Sequence, residues 1–233
     1  MSGLSLDEAI DLTRTGDLWL FRGRTVADRT IQVVTNSPVN HVGMSVVIED
    51  LPPLMWHAEL GRSLPDMWSG KHQRGAQLHE LRGAVVVWSE KYGQRPWLRQ
   101  LDYPVTRKME DAALATIARM DGTPFPSTAH LAGRWLRGRA PARKRAVKQD
   151  PHQGVGHPAN LETAYCAEVV AMAYQAMGLL GDGRRPNWFD AGRFWSGDDL
   201  SLASGARLGM EIAVRMPADL TPSRDQPPGP DGR

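Results

Sequence analysis

The chain has 233 residues, 41% of them hydrophobic, with a formal net charge of +2, eight Trp and a single Cys. That is enough apolar content for a real core in one large domain or two small ones, and too little net charge to name a partner. One Cys excludes an internal disulfide, and no run of roughly 18 apolar residues or charged-then-apolar leader is visible, so a cytoplasmic protein without a transmembrane segment is expected.

In chain order, Ser5-Leu6-Asp7-Glu8 fits a capping box, in which each side chain satisfies the other's backbone amide, and predicts a short helix to about Thr13. Gly16 and Asp17 turn the chain into the apolar strand DLWLF, and TVADRTIQVVT reads as a helix ended by Asn36, Ser37 and Pro38. HVGMSVVI has the β-branched content of a strand, EDLPP is a loop, and LMWHAEL is the returning arm of a hairpin. QLHEL and AVVVWSE are read as further strands, and MEDAALATIARM as a helix.

From Arg134 to Lys148 the chain carries seven basic residues and no acid. Such a run grips phosphates of nucleic acid or lipid in some proteins and is a solvated loop in others. With the Pro- and Gly-rich stretch that follows, it marks residues 134–160 as a flexible insertion, and residues 221–233 read as a disordered tail. Residues 1–220 are taken as one domain.

A helix is then expected from about Glu162 to Gly181, since Val169, Val170, Ala173, Met177 and Leu180 recur at helical spacing. This puts Cys166 in the first turn. Backbone amides without partners and the helix dipole favour a thiolate there, although a lone Cys is also an ordinary small core residue. A thiolate needs a proton carrier, and His41 begins a strand directly after a turn. Alternation places His41, Gly43 and Ser45 on one face, and Met55, His57 and Glu59 share a face of the returning strand. An ordinary hydrogen-bonded strand histidine fits His41 as well. His72, His79, His152 and His157 lie in polar or Gly-flanked stretches and are expected at the surface, and His130 has no assignment. One Cys and scattered His lack the spacing of a metal site, so no metal and no cofactor are expected.

GDLWLF at 16–21, NSPVNHVGMSVV at 36–47, WHAE at 56–59 and AYCAEVV at 164–170 together resemble the circularly permuted, papain-like cysteine enzymes of the NlpC superfamily. These include the YaeF/YiiX-type amidases and, more distantly, the lecithin:retinol acyltransferase-like proteins. The resemblance covers most of residues 15–190, and the order of the motifs, with His41 long before Cys166, is that of the permuted branch.

The resemblance implies an α+β, papain-like fold: an antiparallel sheet packed against helices, with the Cys helix late in the chain. It implies that Cys166 is the nucleophile, His41 the general base and later acid, and a polar residue on the neighbouring strand the group that orients the imidazole. His57, followed by the small Ala58, fits the family pattern for that third group, whereas a symmetric hairpin centred on Leu51 brings Glu59 closer to His41. Both stay open. The Cys166 amide would be the first oxyanion donor. Tyr165 would line the pocket or simply pack, and Trp188, in the segment NWFDAGRFWSG, would wall the cleft with Phe189 and Trp195.

The expected activity is that of a cysteine hydrolase or acyltransferase on an amide or ester bond, working through a thioester. Its substrate would be a small molecule, peptide or acyl lipid, with no nucleic acid partner. The alternative is a non-catalytic lipid- or nucleic-acid-binding module on the same scaffold.

Overall fold

The computed structural model describes residues 3–23, 37–59, 61–121, 158–197 and 200–217, with the backbone alone for 158–164. The fold is α+β. Its strands are β1 (Leu4–Ser5), β2 (Leu18–Arg22), β3 (His41–Val46), β4 (Leu54–Glu59), β5 (Gly75–Glu80), β6 (Arg95–Arg99), β7 (Leu101–Asp102), β8 (Arg207–Leu208) and β9 (Ile212–Arg215). Four α-helices stand among the described residues: α1 (Leu6–Asp11), α2 (Leu81–Glu90), α3 (Arg107–Met120) and α4 (Pro158–Ala176).

Seven strands form one sheet in the order β1-β9-β6-β2-β3-β4-β5, and β7 pairs with β8 separately. The sheet is mixed rather than wholly antiparallel as expected, because β1 runs parallel to β9. Its centre is a meander of β2, β3, β4 and β5 joined antiparallel in sequence.

Period-two alternation gives the sheet two faces of different chemistry. Leu18, Leu20, Val42, Met44, Val46, Leu54, Trp56, Ala58, Ala76 and Leu78 belong to one apolar cluster, shared with α4 and with Ala113 and Ile117 of α3. Trp56 Nε1 donates to the Val169 carbonyl of α4 at 3.4 Å, fastening helix to sheet. The opposite face presents Trp19, Phe21 and Met55 to Leu6 and Ala9 of α1 and to Leu81, Ala84, Val85 and Trp88 of α2.

A buried carboxylate ties the first strand in place. Asp17 Oδ2 accepts from the Arg14 amide at 2.8 Å and Oδ1 from the Leu101 amide at 2.7 Å. Burial nonetheless pushes its carboxyl up from the ordinary range. The adjoining Gly16, at φ 93°, donates to the Ser45 carbonyl at 3.0 Å and accepts from the Tyr174 hydroxyl of α4. A side chain in that left-handed conformation would be strained.

Two elements depart from the sequence reading. AVVVWSE is helical, within α2, despite three consecutive Val. Leu81, Ala84, Val85 and Trp88 recur at helical spacing and are the residues this helix buries, and Glu80 caps it by accepting from the Arg82 and Gly83 amides. Burial of that stripe outweighs β propensity. The Cys-bearing helix starts at Pro158, so Cys166 lies two turns inside it, not in the first turn. Its amide belongs to the intrahelical ladder, and the dipole effect expected of a helix start does not reach it. The expected helix over TVADRTIQVVT, the basic segment at 134–148, the tail at 221–233, and His130, His152 and His157 lie outside the described residues.

Candidate functional site

The described residues gather a row of three imidazoles and an amide on the α2 side of the sheet. His41 Nε2 lies 3.0 Å from His57 Nδ1, His57 Nε2 lies 2.9 Å from His79 Nδ1, and His79 Nε2 lies 3.2 Å from Gln77 Oε1. All four side chains are buried.

Strand register builds this row. The β3–β4 pairs Met44↔Trp56, Ser45↔Met55 and Val46↔Leu54 centre the hairpin one residue earlier than a turn symmetric about Leu51. Continued along the strands, they set His57 opposite Gly43 and diagonal to His41. Gly43 leaves room beside the meeting. A Cβ at that position would lie 2.7 Å from Met55 Cγ and 3.4 Å from His57 Cβ. On the other side His57 pairs with Gln77 and Met55 with His79 across β5, so His79 is again the diagonal neighbour of His57.

Aromatic packing holds the rings. Trp88 of α2 stacks on His41 at 3.9 Å between centroids and 18° between planes, and Phe21 flanks the same imidazole at 5.7 Å. Successive histidines meet edge to face, at 5.2 Å and 4.9 Å. This apolar enclosure disfavours charge. Burial holds His41 down to about 3, with the His79 charge adding to the effect. It lowers His79 to about 4, against a partly compensating attraction from Asp66, and keeps His57 well below the ordinary range. At neutral pH all three are therefore uncharged.

The structure brings His41 and His57 together, and does not bring Cys166 to them. Cys166 is fully buried in the apolar cluster on the α4 face, with Val42, Trp56 and Ala58, while His41 and His57 face Trp88 on the other side. The sheet lies between the thiol and the imidazoles. The expected contact of Cys166 with His41 is not made in this arrangement, and the cause is the strand period: β3 and β4 turn the histidines away from the face that α4 covers.

Glu59 is not the partner of His41 among the described residues. Its carboxyl accepts from the Ser63 hydroxyl and from the Ser63 amide at 3.3 Å, and burial raises its pKa. Tyr165, buried next to Cys166 on α4, packs in the apolar cluster rather than lining an open pocket. Trp188, half-buried in a short 3-10 turn at Pro186–Trp188, packs against the same cluster. Arg184 and Arg193 cover its ring at 4.5 Å and 4.4 Å, so it does not wall the histidine row.

Sequence reasoning missed Gln77 and His79, having placed His79 at the surface, where it is fully buried. The signal was present in QLHEL. Gln77 and His79 share a face by alternation, and pairing that strand with LMWHAEL sets them beside His57.

A cavity of about 540 Å³ opens elsewhere, among Thr15, Val47, Glu49, Tyr103, Val105 and Glu110. It lies beyond the Val46 end of β3, about 17 Å along the strand from His41. Among the described residues no group of three His, Cys, Asp or Glu side chains is arranged to hold a metal ion. No helix among them is long and apolar enough to cross a membrane.

No family model matches the chain, and no curated protein matches it. Among solved structures it is similar to a crystal structure of the metalloprotein YiiX from Escherichia coli O157:H7. The TM-score is 0.42 and the identity 20%, over 70% of this chain and 64% of that one, so the match spans less than two thirds of the YiiX structure.

Proposed function

We propose that this chain is a hydrolase or acyltransferase acting on an amide or ester bond, with His41 as its proton acceptor and His57 as the group that orients it. The observation that carries this reading is the unbroken row from His41 to Gln77. A base oriented by a second group, itself held by a third, supplies the base and orienting parts of the arrangement that nucleophilic catalysis uses. Neutral imidazoles at physiological pH are ready to take a proton. With a pKa of about 3, however, His41 is a weak base until an anion beside it stabilises the imidazolium.

Cys166, the only thiol of the chain, is the nucleophile in this reading. It attacks the carbonyl carbon, the amine or alcohol leaves with the proton that His41 took from the thiol, and water or another acceptor then releases the acyl group. This route makes a demand on the molecule: the sulfur has to reach the histidine side of the sheet. Peptides, amino-acid amides and acyl lipids are the substrate classes we infer.

Burial of Cys166 favours a second reading, in which the thiol is a core residue and the scaffold binds a ligand without turning it over. Labelling with a thiol-directed electrophile separates the two. Fast labelling of Cys166 in the native protein near neutral pH, slowed by His41→Ala, supports the enzyme. Labelling that appears only with denaturant removes the thioester route.

A further inference from the structure

We propose that Gln77 is a positioning residue that fixes the tautomers of all three imidazoles and leaves His41 Nδ1 as the bare, proton-accepting nitrogen of the row. The inference deepens the hydrolase reading by naming which atom accepts and what makes it the acceptor.

It follows from the carbonyls around Gln77. Its amide nitrogen lies 2.8 Å from the Gln73 carbonyl oxygen and 3.4 Å from those of Glu59 and Gly75. Three carbonyl oxygens can only accept, so the NH2 group must face them. Oε1 is then turned to His79, and an oxygen there can only accept in its turn. His79 Nε2 must carry a hydrogen, and in a neutral imidazole this leaves Nδ1 bare. A bare Nδ1 accepts from His57 Nε2–H, which leaves His57 Nδ1 bare, and this accepts from His41 Nε2–H. His41 Nδ1 is the lone pair remaining at the end. Among the described residues it makes no hydrogen bond, while every other ring nitrogen of the row makes one.

One amide orientation therefore sets three rings. The order also gives the proton a route. When His41 Nδ1 gains a proton, its Nε2–H passes to His57 Nδ1, and the His57 Nε2–H passes to His79 Nδ1. No atom is left over: the row gains one proton, and the positive charge moves to His79. There Asp66, whose carboxylate accepts from the Leu78 amide at 2.9 Å, attracts it, whereas His72 opposes it. Gln77 cannot take the proton onward, so the charge stays in the row and returns along it when His41 later donates.

A long-range proton–nitrogen NMR spectrum of the histidine-labelled full chain near neutral pH tests this directly. The expected result is a pyrrole-type shift at Nε2 and a pyridine-type shift at Nδ1 for His41, His57 and His79 alike. A protonated Nδ1 on His41, or an imidazolium within the row, overturns the proposal. Gln77→Glu keeps an acceptor and should preserve the pattern while moving proton uptake to higher pH. Gln77→Met removes the side-chain acceptor and should loosen the single tautomer at His79, leaving the Leu64 carbonyl as the other acceptor for that ring. If Gln77→Met folds and keeps the wild-type pattern, Gln77 does not set the tautomers. If it does not fold, the wild-type and Gln77→Glu spectra still decide. An inactive protein with the expected spectra sinks the hydrolase reading and leaves this one standing, and an active protein with a different pattern does the reverse.

Discussion

The two faces of the central sheet are built from the same strands and do opposite things. Under α4, Leu18, Val42, Met44, Trp56 and Leu78 pack in one apolar cluster, and Cys166 is part of that packing. Under α2, His41, His57, His79 and Gln77 alternate with those same residues and hydrogen-bond one another in a row. Stability on the first face comes from area removed from water, and on the second from polar groups that would be costly if one were left alone. A one-residue slip of β4 would exchange the two sets, so the register that makes the core also makes the row.

Acid should distinguish the faces most strongly. The three histidines keep folded-state pKa values below the unfolded value near 6.5, so the unfolded chain binds protons first as pH falls. Stability is then present above about 6.5 and is lost as pH falls from there towards about 4 and about 3, the values of His79 and His41. The slope is about 1.4 kcal/mol per pH unit for each histidine involved. Urea unfolding across this range should show the loss, with a shallower slope in His79→Gln. Equal slopes in the two proteins would mean that His79 titrates normally.

Truncating the other face should cost nearly as much at a single site and respond little to pH. Trp56→Ala removes the largest side chain of β4 and its bond to Val169, and should lose about 3–5 kcal/mol in a denaturant titration, similar at neutral and mildly acid pH. Gly43→Ala tests the seam between the faces. Its methyl would meet Met55, and the expected loss is about 1–3 kcal/mol, accompanied by a broken His41–His57 pair in the NMR spectrum. The smallest effect belongs to Cys166→Ala, about 1 kcal/mol of lost packing in the same titration, with the three tautomers unchanged. A changed tautomer pattern in that variant would mean that the sulfur is coupled to the row across the sheet.

Much of this was legible in the chain itself. The capping box at Ser5–Glu8, the strands around His41 and His57, and the helix over MEDAALATIARM are local signals, and the structure has each of them. What failed was of two kinds. AVVVWSE carries β-branched residues on a helical stripe, and only the tertiary contact of Leu81, Ala84 and Trp88 decides between them. The meeting of Cys166 with His41 depended on which face of the sheet α4 covers, and alternation fixes which residues share a face without saying which face a distant helix will choose. His79 was missed for a related reason: its partner lies across β4, and cross-strand neighbours are set by register rather than by sequence distance.

Trp88 gives the histidine row an optical consequence. Its indole lies flat on His41, edge-on to His57, and its ring N–H has no hydrogen-bond partner among the described residues. An imidazolium forming in the row beside that indole would quench its emission, so a titration followed by fluorescence, with Trp88→Phe as the control for the other seven tryptophans, would register the arrival of charge in the row from within the native molecule.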